Sequence, residues 1–218
     1  NDAAYAIGET LGARMATEGQ SPLDAFVAAM NETAAKIGMG GTLFSNPHGL
    51  DDGEFDAEMH STAADVAVMS RYAMGFDTFA SIVAQPSVTI EVTRGEEKVP
   101  IELTSTDELI GVYEGACGIK TGTTDAAGPS FAGACKREAG TLYAAVLASS
   151  SEAQRFADAQ ALYNWYYGNL VDYPLAHSDE KAAMATEDGE REVPVVAEVA
   201  CAARPGKTAK ATSADPDQ

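Results

Sequence analysis

Apolar residues recur every three to four positions through the first third of the chain and every second position after it, and this change of period sets the expected architecture. Ile7, Leu11 and Met15 mark one face of a first helix. Ser21-Pro22-Leu23-Asp24 reads as a capping box with proline at the first helical position. Phe26, Met30, Ala34 and Ile37 then supply a buried stripe that Gly38 ends. Thr62-Ala63-Ala64-Asp65 is a second box, opening a helix through Val66, Met69 and Ala73 to Gly75. Between the boxes, residues 44–60 are rich in Asn, Pro, Gly and Asp and read as an irregular loop of the kind that often carries function.

From Ser87 the alternation Val88, Ile90, Val92, the turn Arg94-Gly95-Glu96-Glu97 and the returning Val99, Ile101, Leu103 predict a hairpin. Strands are expected near 116–123, 129–136 and 141–149. Ser151-Glu152-Ala153-Gln154 caps a long helix whose inner face is Phe156, Ala159, Tyr163 and Tyr166. Helices, then antiparallel strands, then a helix packed back on the sheet make an α+β sandwich over residues 1–172. Residues 173–218 place a charged turn, Glu187-Asp188-Gly189-Glu190, between strand-like runs including Val193 to Val199, and read as the beginning of a β-rich domain too short to bury a core alone.

Composition narrows the function. The 218 residues carry 14 basic and 33 acidic side chains, a formal charge of -19, which repels phosphate backbones and argues against nucleic-acid binding. No apolar run is long enough to span a bilayer. Three cysteines are too few for a disulfide scaffold and lack zinc-site spacing. Cys117 and Cys135 flank one turn, either as a bridge across a hairpin or as two buried thiols, with Cys201 remote from both. Asp51 and Asp52 lack the alternating oxygen ligands of a calcium loop, so no metal or cofactor is called for.

The chemistry concentrates in Gly118-Ile119-Lys120-Thr121-Gly122-Thr123-Thr124-Asp125, a Lys-Thr-Gly on an expected strand. With Asn46-Pro47-His48-Gly49-Leu50-Asp51, Ser61-Thr62-Ala63-Ala64-Asp65 and Tyr113-Glu114-Gly115-Ala116 in order, the chain resembles the low-molecular-mass penicillin-binding proteins that act as serine-type D-Ala-D-Ala carboxypeptidases. The resemblance runs from Asn1 to about Leu170 and more weakly beyond. It implies the penicillin-binding protein and serine β-lactamase-like fold, a helical region against a five-stranded antiparallel sheet with the active site in the groove between. It also implies residence outside the cytoplasmic membrane, peptidoglycan stem peptides ending in D-Ala-D-Ala as substrate, and β-lactams as covalent inhibitors.

The same resemblance assigns roles. Lys120 would hold positive potential over the groove, the Thr123 N–H would donate to the oxyanion, and Asn1 would close an S-x-N motif. Thr121 and Arg155 would bind the peptide's terminal carboxylate, and Gly122 would let the peptide backbone approach the strand. The family's S-x-x-K nucleophile motif has no match before Lys120, so the serine is expected upstream of residue 1. Ser178-Asp179-Glu180-Lys181 satisfies the spacing after the Lys-Thr-Gly and is rejected as chance. His48 is expected to shape its loop rather than move protons, and the aromatic run Tyr163 to Tyr167 to pack as core and helix end. A catalytically inactive wall-peptide module and a D,D-endopeptidase remain alternatives. A class A β-lactamase is disfavoured, because no E-x-x-x-N precedes the Lys-Thr-Gly.

Overall fold

The computed structural model describes residues 1–51, 53, 58–170, 181–186 and 189–194. The chain forms two units, Asn1–Tyr163 and Asn164–Gln218.

In helix α1 (Asp2–Met15) the stripe of large apolar residues is not the buried face. Gly8 and Gly12 are the buried positions, whereas Ile7, Leu11 and Met15 are 54, 37 and 50 % exposed. Periodicity identified the residues sharing a face but not which face turns inward. A β-carbon on Gly12 would stand 1.8 Å from the Pro22 carbonyl oxygen, so the glycine face is the one that lets α1 close on α2 (Pro22–Ile37). Ser21 caps α2, its Oγ accepting from the Asp24 N–H at 3.1 Å, and Gly38 ends it in the left-handed region at φ 90°. Ala34 is buried, while Phe26, Met30 and Ile37 line an apolar groove of about 520 Å³ shared with Met15, Met39 and Met69.

The irregular segment is anchored at both ends. Leu43 and His60 form a two-way backbone bridge at 2.9 and 3.1 Å, and the Asn31 amide grips Phe44 through both its carbonyl and its N–H at 2.8 Å. Helix α3 (Ala63–Ala73) starts at Thr62, whose Oγ1 accepts from the Asp65 N–H at 3.1 Å. Asp65 itself is buried and ties the preceding loop, accepting from Gly41 N–H and Thr42 Oγ1 at 2.8 Å each. A short α4 (Asp77–Val83) follows.

Strands β1 (Ser87–Arg94) and β2 (Glu97–Thr104) make the expected hairpin, with Gly95 at φ 65° in its two-residue turn. Their apolar residues pair in register, Val88 with Leu103, Ile90 with Ile101 and Val92 with Val99. Strands β3 (Ala116–Gly122), β4 (Ser130–Arg137) and β5 (Gly140–Val146) form a separate antiparallel sheet in the order β3-β4-β5. The described residues therefore supply three strands of a sheet expected to have five, because β1 and β2 pair only with each other. Cys117 and Cys135 are not joined by a disulfide, which resolves the two readings of that pair against a bridge. The Cys135 Sγ donates to the Glu114 carbonyl at 3.4 Å.

Helix α5 (Glu152–Gly168) begins at Ser151, whose Oγ accepts from the Gln154 N–H at 3.1 Å. It buries Arg155, Phe156, Ala159 and Tyr163, and Phe131 of β4 meets Phe156 edge-on at 5.2 Å. In the second unit Tyr166 and Tyr167 meet edge-on at 5.7 Å, but Trp165 is 62 % exposed, so the aromatic run is only partly packed. Strands β6 (Lys181–Thr186) and β7 (Gly189–Pro194) pair antiparallel; Glu187 and Asp188 of the expected charged turn lie outside the described residues. Asp52, Ser178, residues 195–199 and Cys201 lie outside the described residues.

Candidate active site

Strand β3 is an edge of its three-stranded sheet, so the backbone from Lys120 to Gly122 has one side without a sheet partner among the described residues. Gly122 has nothing within 4 Å of where a β-carbon would stand, which leaves open room beside that edge. An extended peptide can add to such an edge through main-chain hydrogen bonds.

Alternation along β3 separates the side chains. Lys120 is directed away from the face that buries Thr121, and its Nζ donates to the Thr121 carbonyl. Burial first, and the nearby Arg155 charge second, hold the Lys120 amine below the ordinary lysine value. Thr121 is buried, and its hydroxyl shares a 2.6 Å hydrogen bond with Thr106 Oγ1. It is the hydroxyl of Thr123, just past the strand, that meets the guanidinium. Arg155 Nη1 donates to Thr123 Oγ1 at 3.0 Å and to the Gly122 carbonyl at 3.4 Å. The structure thus brings Lys120, Gly122, Thr123 and Arg155 to one end of β3, with Thr121 turned behind it. Asn1 stands at the N-terminus of α1, exposed, its side chain making no capping hydrogen bond.

Arg155 is 6 % exposed, so its charge is buried at the strand end. Asp107, on the segment between β2 and β3, is the buried acid that faces it. One Asp107 oxygen accepts from the Leu109 N–H at 2.9 Å, and the other has no hydrogen-bond partner, as is also true of Arg155 Nε. Burial pushes the Asp107 carboxyl above its usual range, opposed by the Leu109 N–H and by the Arg155 charge. Sequence reasoning missed Asp107, Thr106 and Glu152. None lies in a motif, and each matters only through contacts made across the fold. Glu152 Oε1 accepts from Thr123 Oγ1 at 2.9 Å and lies 3.9 Å from Arg155 Nη1.

The loop that sequence analysis singled out borders this end of the sheet. Asn46 Oδ1 accepts from the His48 and Gly49 N–H groups, and His48 Nδ1 accepts from the Leu50 N–H at 3.2 Å, with its ring stacked on Tyr5 at 5.9 Å. His48 therefore organises its own loop. Asp51 Oδ2 accepts from Thr124 Oγ1 at 2.7 Å, joining that loop to the turn after β3. On the other side of the turn, Ala148 takes a left-handed φ of 53° beside Gly128 as the chain leaves β5 for α5.

Comparison with known proteins places this arrangement. A family model described as D-alanyl-D-alanine carboxypeptidase matches residues 1–151. D-alanyl-D-alanine carboxypeptidase DacB2 of Mycobacterium tuberculosis is 34% identical over 168 residues, covering 76% of this chain and 53% of that protein. The D-alanyl-D-alanine carboxypeptidase of Streptomyces sp. strain K15 is 29% identical over 166 residues, covering 75% of this chain and 55% of that protein. The crystal structure of the Streptomyces K15 DD-transpeptidase superposes with a TM-score of 0.69 at 28% identity, over 77% of this chain and 62% of that one. The chain spans about half the length of the curated relatives it matches. The fold is thus that of the penicillin-binding DD-peptidases, an α+β arrangement of helices and antiparallel strands.

Proposed function

The chain belongs to the D-alanyl-D-alanine carboxypeptidase family, and on that premise we propose that it carries the substrate-gripping side of a serine-type D-Ala-D-Ala carboxypeptidase. In that reaction a serine attacks the amide of the terminal D-Ala of a peptidoglycan stem peptide, D-Ala departs, and water hydrolyses the acyl-enzyme. The observation that carries the reading is the pairing of Arg155 Nη1 with Thr123 Oγ1 at 3.0 Å, beside Lys120 at the open end of an edge strand.

A terminal carboxylate needs a cation and a hydrogen-bond donor held in fixed geometry, and the buried guanidinium with the Thr123 hydroxyl meets both needs. Lys120 adds a second positive charge where the anionic intermediate develops, and the Thr123 N–H is the oxyanion donor in this reading. Gly122 leaves the peptide room along β3. Thr121, expected to grip the carboxylate, is buried and bonded to Thr106, so in this reading Thr123 takes that role, and Asn1 orients the peptide from the start of α1. In this reading these 218 residues do not supply the serine or its proton acceptor, as no S-x-x-K precedes Lys120. The enzyme works at the cell envelope outside the cytoplasmic membrane, and β-lactams acylate its serine.

Titration of the 218-residue chain with an N-acetylated peptide ending in D-Ala-D-Ala tests this. Saturable binding is expected for the free carboxylate. Arg155→Gln should weaken it by about 1.5–3 kcal/mol, roughly 10- to 150-fold, as for a hydrogen bond to a charged group. Equal binding of the C-terminal amide, or no effect of Arg155→Gln, refutes the assignment. Covalent labelling of this chain by a fluorescent penicillin would place the serine inside it and refute that part of the reading.

A further inference from the structure

We propose that Glu152 sets how tightly the cleft accepts a terminal carboxylate, because its own carboxylate occupies the Thr123–Arg155 pair when no peptide is bound; the proposal rests on the carboxypeptidase reading above. Glu152 is the first residue of α5, and its side chain is 67 % exposed. Its Oε1 accepts the Thr123 hydroxyl hydrogen bond at 2.9 Å and stands 3.9 Å from Arg155 Nη1. Those are the hydroxyl and the guanidinium that a peptide carboxylate would use.

Competition follows from the donor count. A threonine hydroxyl has one proton to give, so Thr123 can donate to Glu152 or to a ligand but not to both. Were Glu152 to stay, the incoming carboxylate would share the guanidinium with a like charge a few ångströms away, which is unfavourable. Glu152 is free to leave. It is exposed, its ion pair with Arg155 spans one helical turn, and such exposed pairs hold side chains weakly. Asp107 has no such freedom, being buried and fixed by the Leu109 N–H. Asp51, the acid on the neighbouring turn, already accepts from Thr124 and does not reach for Thr123 in the same way. Glu152 is therefore an internal stand-in for the substrate's charged end, keeping Thr123 and Arg155 oriented while raising the concentration of peptide needed to take them over.

The test is a comparison of affinities for N-acetyl-D-Ala-D-Ala across four proteins, the wild-type chain, Glu152→Gln, Glu152→Asp and Arg155→Gln, followed through amide shifts at Gly122 and Thr123. A weak internal contact predicts that Glu152→Gln binds about 3- to 10-fold more tightly than wild type. Glu152→Asp keeps the charge at the start of α5 but falls about 1.5 Å short of Thr123, one carbon–carbon bond, and should also bind more tightly. Affinity unchanged or weakened in Glu152→Gln overturns the proposal. So does a Glu152→Asp variant that behaves as wild type, since the charge would then act through its field and not by occupation. If Arg155→Gln binds as well as wild type, the carboxypeptidase reading fails first and Glu152 with it. Arg155-dependent binding that ignores Glu152 leaves the reading intact and removes only the stand-in.

Discussion

Gly122 and Gly133, eleven residues apart in sequence, make opposite demands, and substituting each by alanine separates fold from function. Gly133 lies in β4, opposite Ile119 of β3 and Ala144 of β5. A β-carbon there would stand 2.4 Å from Phe131 Cε1 and 2.4 Å from Tyr163 Oη. Carbon contacts settle at about 3.5–4.0 Å, so the ring and the helix must retreat by roughly 1 Å. Neither has room, as Phe131 and Tyr163 are 2 and 1 % exposed and Phe131 is held against Phe156. Overpacking of this kind costs about 1–3 kcal/mol, and the gain from replacing a strand glycine returns about 0.5–1 kcal/mol. Taking the upper end of the strain, Gly133→Ala should lose about 2 kcal/mol, a fall in Tm of roughly 4–8 °C for a domain of this size. Because α5 carries Arg155, its retreat should also weaken peptide binding. Gly122→Ala meets nothing within 4 Å and should melt within about 0.5 kcal/mol of wild type, yet lose affinity, because the methyl projects beside the edge where the peptide lies. Thermal unfolding and peptide titration on both variants decide the matter. An unshifted Tm in Gly133→Ala refutes the packing of α5 on β4, and full affinity in Gly122→Ala refutes a peptide laid along β3.

Two titrating groups give further expectations. The Lys120 amine is held below 10.5 by burial and then by Arg155, so it loses its proton earlier than a free lysine as pH rises. Peptide affinity should therefore decline on the alkaline side below pH 10.5, and Lys120→Gln should abolish that limb; a flat wild-type profile contradicts the role of the charge. The same sign makes the folded state disfavour the protonated amine, so stability relative to Lys120→Gln should rise as pH climbs through the lowered value. Asp107 is raised above 3.8 by burial, so its contribution to stability is full in acid and is lost as pH rises through the raised value. Asp107→Asn should gain stability over wild type between acid and neutral pH while binding peptide less well, since Arg155 loses its buried counter-charge. Denaturation at several pH values checks the first part, and an advantage that shrinks toward neutrality would contradict it.

Much of this was legible in residue order. Ser21, Thr62 and Ser151 each cap their helix through the N–H three residues on, because capping is a local bond between near neighbours. The period-two runs placed the strands within a residue or three, and the glycine-framed Lys120 fell on β3. What could not be read was direction. The α1 stripe was identified but not which face of the helix is buried, since Gly8 and Gly12 have no side chain to announce that a neighbour will press against them. Thr121 and Thr123 are two hydroxyls on one short segment, and only the placement of Arg155, more than thirty residues on, selects Thr123 as its partner. Asp107, Glu152 and the Asp51–Thr124 contact are likewise products of tertiary proximity, which no local spacing encodes.

Where a peptide's charged end comes to rest is measured directly by a crystal structure of the chain with N-acetylated D-Ala-D-Ala bound. The terminal carboxylate should lie about 3 Å from Thr123 Oγ1 and Arg155 Nη1, with Glu152 turned away and the peptide extended over Gly122. A carboxylate bound elsewhere, with Glu152 still on Thr123, would contradict it.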